Sequence, residues 1–304
     1  MRWLVVLPLV AGCFHDPAPA PPANRTPAPR GASQDVLAYL PADSDVVVVL
    51  DAAQIRATGL WQGYQDVLTQ GVVREVKERC GIDLAAMKRI ALAMHMPSGG
   101  GVEAVAVLRG LPREAFMKCA ADATKVTDKR WAVSGNVITV TDGGQAAVAT
   151  FIDDTTLVLQ AKKGATPAAL DALVRAGSPL RGSQAFVEMF THTDTGAALW
   201  FIVRGESRLF EPFKGLGYPI KGASGSIRTG DEFGISARVV VDSQTAAQQL
   251  AATLKTQFAP LQPFVDSFEV ADDDDGVKIE VKITEAQVER LIQMMGLARS
   301  LGGP

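Results

Sequence analysis

Three cysteines, three histidines and a run of four aspartates are the side chains best equipped for chemistry here, and their neighbours decide what each can do. His15 stands in a proline-rich stretch, His95 lies between Met94 and Met96, and His192 falls in Thr191-His192-Thr193. None has a second His, Cys or carboxylate at a metal-ligand spacing, so the pattern argues against zinc, and His95 reads as a residue filling one face of a strand. Gly222-Ala-Ser224-Gly-Ser226 breaks the Gly-x-Ser-x-Gly pattern at its last position, and no serine has a lysine three places on. A nucleophile elbow and a penicillin-binding signature are therefore both missing from the sequence. Gly99-Gly100-Gly101 lacks the lysine and the spacing of a phosphate loop. Asp272–Asp275 invites a calcium reading, but a calcium loop alternates its oxygen ligands and adds a later bidentate carboxylate. With Gly276 directly behind it, the run reads as a hairpin turn. The sequence points to no metal and no cofactor.

Cys13 has a different setting. It closes Met1-Arg-Trp-Leu-Val-Val-Leu-Pro-Leu-Val-Ala-Gly-Cys13, in which Arg2 is a minimal charged region and Trp3 to Ala11 a short apolar one. That apolar run is too short to cross a hydrocarbon core of ~30 Å. Val10-Ala11-Gly12-Cys13 resembles the bacterial lipobox, in which small residues ahead of an obligatory cysteine admit signal peptidase II. The resemblance implies that residues 1–12 are a signal peptide. Cys13 would then carry a diacylglyceryl group and usually an acyl chain on its new amino terminus, and several acyl chains anchor lastingly where one does not. The membrane is thus the first expected partner, reached through Cys13. Phe14, rather than aspartate, follows the lipidated cysteine. By the sorting rule of such lipoproteins this implies the outer membrane, facing the periplasm or the cell surface.

Behind the anchor, residues 13–34 are dense in proline and almost free of large apolar side chains. Such a segment cannot bury enough surface to fold, and proline biases it toward an extended form, so it reads as a spacer. At ~3.1 Å per residue it would reach up to ~60 Å from the membrane. The remainder, with 47% hydrophobic content across the 304 residues, is ordinary globular sequence long enough for one large or two small cores. A net charge of -3 offers no electrostatic case for nucleic acid.

Cys80 and Cys119 are the even pair left once Cys13 is set aside. Both fall on apolar helix faces, Cys80 with Val73 and Val76, Cys119 with Phe116. Two readings stand: buried thiols acting as small hydrophobes, or a disulfide suited to an oxidising compartment.

The elements that would position these residues alternate short strands and amphipathic helices, in an order that occurs twice. Strands are expected at Asp45–Leu50, Ile90–Met96, Val102–Leu108, Trp131–Val133 and Val137–Val140, with a long helix through Tyr64 to Cys80 and another carrying Phe116 and Cys119. The second series runs Ala197–Val203, Ala223–Arg228, Phe233–Val241, a helix capped by Ser243, then Phe268–Val270, Val277–Ile283 and a last helix begun by the capping box Thr284-Glu-Ala-Gln287. An offset near 131 residues sets Val102 on Phe233, Ala104 on Ile235, Leu108 on Val239 and Cys119 on Leu250, each pair apolar in register. The expected fold is α+β: two duplicated βαββαββ units at residues 35–180 and 181–304, each an antiparallel sheet covered by helices on one face. A hairpin of Ala146–Phe151 with Thr155–Gln160 and two further helices, after Thr166-Pro167 and over Ser183–Phe190, join the halves.

Leu40-Pro-Ala-Asp-Ser-Asp-Val-Val-Val-Val-Leu-Asp51, Ile152-Asp-Asp-Thr-Thr-Leu-Val-Leu159 and Ser178-Pro-Leu-Arg-Gly-Ser-Gln-Ala-Phe186 resemble segments of uncharacterised bacterial lipoproteins. These motifs are turns and strands, and the resemblance supplies no catalytic residue. The expected function is a lipid-anchored cell-envelope protein, a non-enzymatic binding or assembly module for an envelope protein or a small ligand. The alternative is an envelope hydrolase whose site lies in the cleft between the two units.

Overall fold

β1 (Val46–Asp51) is the strand around which the protein is built, pairing antiparallel with β2 (Arg89–His95) on one side and β8 (Leu199–Arg204) on the other. Its run Val46-Val-Val-Val-Leu50 has the composition of a strand covered on both faces. The computed structural model describes residues 35–68, 72–123, 130–142, 145–176, 180–211, 217–230 and 232–290; Cys13, His15 and the proline-rich segment lie outside these.

Beyond β2 come β3 (Glu103–Arg109), β7 (Thr156–Lys163), β6 (Gln145–Phe151), β5 (Val137–Asp142) and the edge strand β4 (Arg130–Ser134). Beyond β8 come β9 (Gly222–Arg228), β10 (Glu232–Val240), β12 (Gly276–Thr284) and β11 (Ser267–Asp273). Every pairing is antiparallel, and the twelve strands form one sheet. The fold is α+β, as expected, but the two expected sheets are one. Val49 sits opposite Trp200 and Val47 opposite Ile202. Each half would otherwise present an apolar edge strand, and joining β1 to β8 removes both edges.

Strand order departs from the expectation in a second way. The hairpin beside β3 is β7–β6, and the hairpin beside β10 is β12–β11. The hairpin β4–β5, expected to correspond to β11–β12, lies further out at the rim. β3 and β10 themselves each stand third from the central β1–β8 seam.

Helices divide unequally between the faces. The segments are α1 (Ala52–Arg56), α2 (Gly59–Leu68), α3 (Val72–Cys80), α4 (Arg113–Ala123), α5 (Pro167–Arg175), α6 (Gln184–Thr191), α7 (Gln244–Phe258) and α8 (285–290). On one face Val47, Val49, Ala93, Val105, Val158 and Ile202 pack under a 3-10 turn (Val36–Tyr39), under Leu170 of α5 and under Phe186 of α6. On the other face Ile138, Ala149, Phe151 and Leu157 meet α4 and the loop residues Ile82 and Leu111. Still on that second face, Val270 and Val277 meet Ala247, Leu250 and Ala251 of α7. Helices cover both faces of the first half, where one covered face was expected; in the second half α6 lies on the first face over β8 and α7 on the second face over β11 and β12. In β12, Lys278 and Lys282 face water while Val277 is fully buried, the alternation of a sheet with one wet face.

Local signals place the helix ends. Thr166 Oγ1 accepts from the Ala169 amide at 3.2 Å, and Ser243 Oγ accepts from Ala246 at 3.3 Å. Thr284 and Gln287 form a reciprocal capping box: the Thr284 amide donates to Gln287 Oε1 at 2.9 Å, and the Gln287 amide to Thr284 Oγ1 at 3.3 Å. α2 and α3 fall on the helix expected through Tyr64 to Cys80, and residues 69–71 between them lie outside the described residues. Gly81, at φ +67°, ends α3. Among the described residues no helix is long and apolar enough to cross a membrane.

One glycine on β9 is required by contact. A Cβ at Gly225 would lie 2.8 Å from the Phe201 ring and 2.8 Å from the Ser236 carbonyl oxygen. Gly225→Ala is expected to destabilise the protein by about 1–3 kcal/mol through overpacking, read as a lower denaturant midpoint. An unchanged midpoint would show that the ring moves aside without cost.

Candidate functional site

A polar cleft of about 250 Å³ opens on the first face of the sheet, over β2, β3 and β7. Its floor is two cross-strand rows. Ala93, Val105 and Gln160 form the inner row, since Ala93 pairs with Val105 and Val105 with Gln160. His95 and Glu103 are partners in the outer row, and carrying the β3–β7 register one step past Ala104 and Ala161 sets Lys162 beside Glu103. The segment Pro41 to Ser44, leading from the 3-10 turn into β1, forms one wall, and Ala169 and Leu173 of α5 form the other. The Leu-Pro-Ala-Asp motif is thus the lip of the cleft.

His95 lies at the end of β2 with Nδ1 3.0 Å from Asp45 Oδ2, close enough to pair charges but not aligned as a hydrogen bond. The same Asp45 oxygen accepts from the Met96 amide at 2.6 Å, which fixes the carboxylate. Ser44 stands next in the chain but completes no nucleophile–base–carboxylate array. Its Oγ donates to the Pro41 carbonyl at 2.8 Å, and the residue is buried. Gln160 is 7% exposed, and its Oε1 has no hydrogen-bond partner. A buried amide oxygen without a donor costs free energy. Nearby, burial pushes the Tyr39 phenol above its ordinary range, with Asp153 and Asp35 adding to the rise.

The other sequence candidates lie apart from this cleft. Cys80, at the end of α3, and Cys119, on α4, form a disulfide with their Cα atoms 5.2 Å apart, over the opposite face. His192 is exposed at the C-terminal cap of α6. Ser224 and Ser226 are buried within β9, where neither is presented as a nucleophile.

The aspartate run forms the β11–β12 turn, though its register differs from the expected Asp-Gly turn. Asp274 and Asp275 make the turn, Asp274 at φ +52°, and Gly276 already pairs with Asp273 in the ladder. Two carboxylates of the run are paired from β10. Arg238 Nε donates to Asp273 Oδ2 at 3.1 Å and Nη2 to Asp275 Oδ1 at 3.1 Å, and a Cβ on Gly276 would press into that guanidinium. Among the described residues no group of three or more His, Cys, Asp or Glu side chains is arranged to hold a metal ion.

A second cleft, about 510 Å³, is lined by Gly205, Phe210, Gly217, Tyr218, Pro219 and Ile220 in the second half. Each of these two clefts is built from one half of the chain.

Sequence reasoning passed over Glu103, Gln160 and Lys162. The available signal was parity: Thr156-Leu-Val-Leu-Gln160-Ala-Lys162 places a glutamine and a lysine on the buried side of an otherwise apolar strand.

Fold and cleft together define an α+β protein with one broad antiparallel sheet, helices on both faces, and a mixed-charge pocket at the end of β2. No family model and no curated protein matches the sequence. Solved structures do share the architecture. Crystal form IV of TP0453 superposes with a TM-score of 0.55 at 9% identity, covering 86% of this chain and 99% of that one. Crystal form III gives 0.54 at 8% identity, covering 85% and 97%. At such identities the likeness is one of fold.

Proposed function

We propose that this protein is a lipid-anchored component of a bacterial cell envelope and works as a binding or assembly module. The observation that carries the reading is Val10-Ala11-Gly12-Cys13 at the end of a short apolar leader, followed by a proline-rich spacer and a folded region. The Cys80–Cys119 pair adds support, because disulfides persist in oxidising compartments. The resemblance of the Leu-Pro-Ala-Asp and Asp-Asp-Thr-Thr-Leu segments to bacterial lipoproteins points the same way. In this reading the sheet is the working surface and the proline-rich segment holds it clear of the headgroups. The direct test is membrane partition of the wild type against Cys13→Ala.

The two halves are read as descendants of one duplicated unit. The matching orders β1-β2-β3-β7-β6 and β8-β9-β10-β12-β11 support this, with β4–β5 an addition to the first copy.

Phe14 directs the reading to the outer membrane. Sucrose-gradient separation is expected to place the wild type in the outer-membrane fraction and to shift Phe14→Asp toward the inner one. A wild type found wholly in the inner membrane would overturn the assignment. An unshifted variant would show that this position carries no sorting signal.

A further inference from the structure

The outer row of the cleft sets a carboxylate and an ammonium side by side without joining them. Among the described residues neither Glu103 nor Lys162 has an ion-pair partner, although the strand register makes them neighbours. Directly opposed side chains in an antiparallel pair have their Cβ atoms ~5 Å apart, close enough for charges to meet. Both groups line the cleft, with His95 beyond Glu103 on the same row and Asp43 on the lip. One row inward, the unpartnered Oε1 of the buried Gln160 belongs to a residue that lines the same space.

This set discriminates by charge. A simple anion would find Lys162 but also Glu103 and Asp43 beside it. A simple cation would meet the converse. A molecule carrying both charges on one compact scaffold satisfies both groups. The apolar part of the lining, Ala93, Val105, Ala169 and Leu173, is aliphatic and close by. A volume of about 250 Å³ admits a small molecule and excludes a folded partner.

We propose that this cleft binds a small zwitterion with an aliphatic side chain, of the α-amino acid or dipeptide class. The ligand's ammonium is received by Glu103, its carboxylate by Lys162, and its side chain by Val105 and Leu173. The proposal rests on reading the folded region as a binding module. It is independent of the lipid anchor, so failure of one leaves the other standing.

The test is calorimetric titration of the full chain, held in detergent micelles, with aliphatic α-amino acids and dipeptides. An alkylammonium and an alkylcarboxylate of matched length serve as controls. The expected result is that at least one zwitterion binds about tenfold or more tightly than either control. Glu103→Gln and Lys162→Met are each expected to weaken it at least about tenfold with an unchanged unfolding midpoint. Exposed Asp43→Asn serves as a variant whose folding is not in question, and a smaller loss is expected from it. No measurable heat with any zwitterion at millimolar concentration overturns the proposal. So does binding that persists unchanged in both the Glu103 and Lys162 variants, or binding of a singly charged control as tight as that of the zwitterions.

Discussion

Cys13→Ala is expected to move the protein out of the membrane pellet entirely and to abolish its labelling by a fatty-acid probe. The expectation follows from the chemistry of one atom. The Cys13 thiol is the only group in Met1–Cys13 that forms a thioether with diacylglycerol, and alanine offers no nucleophile. Without that modification the leader is left uncleaved or is processed to a soluble product. Each buried methylene contributes about 0.8 kcal/mol to membrane affinity, so two or three acyl chains hold the protein where a single chain would give only reversible binding. The net charge is -3, and among the described residues no helix is long and apolar enough to cross a membrane. Equal labelling of the mutant and the wild type would sink the lipoprotein reading.

Much of the fold was legible because the strands advertise their surroundings. Val277, Ile279, Val281 and Ile283 alternate with Lys278, Glu280 and Lys282, and that period of two correctly marked a sheet with one wet face. The same rule, extended to the whole chain, led to two layers everywhere. Val46–Leu50, Ala104–Leu108 and Ala146–Ala149 carry the contrary sign. They are continuous apolar runs, the pattern of strands buried on both faces, and they lie where helices cover both sides. Periodicity within a strand says nothing about which strand lies beside it, so the β1–β8 seam and the placing of β7 against β3 were not readable. Both are long-range pairings fixed only when the whole sheet assembles.

The site was harder to read for the same reason. Glu103, Gln160 and Lys162 are separated by up to about sixty residues, and no linear motif joins them; only the register of β3 and β7 does. Arg238 was overlooked beside Asp273 and Asp275 on the same grounds, since its partners lie across a ladder and not along the chain. The cysteine pair shows the limit from the other side. Sequence placed both thiols on apolar helix faces, but their proximity depends on how α3 and α4 lie together over the sheet.

The disulfide carries the second large prediction. Cys80→Ser with Cys119→Ser is expected to lower stability on the order of 3–4 kcal/mol, because the bridge closes a 39-residue separation and restricts the unfolded chain. That is a large share of the 5–15 kcal/mol typical of a folded domain. The loss should fall first on α3. Its ion pairs, Arg74 with Glu78, Arg79 with Glu75 and Lys77 with Asp83, are exposed and contribute little, and among the described residues its inward contacts with the core below are Val76 and Cys80. α3 is therefore stapled to α4 by the bridge more than by packing. Reductant should lower the unfolding midpoint of the wild type toward that of the double variant while leaving the variant itself unmoved. Hydrogen exchange should show α3 losing protection before β1 or β2, whose amides lie in the centre of the sheet. If the thiols were only small core hydrophobes, the oxidised and reduced wild type would unfold at the same denaturant concentration. Two reactive thiols would then titrate in the denatured, non-reduced protein.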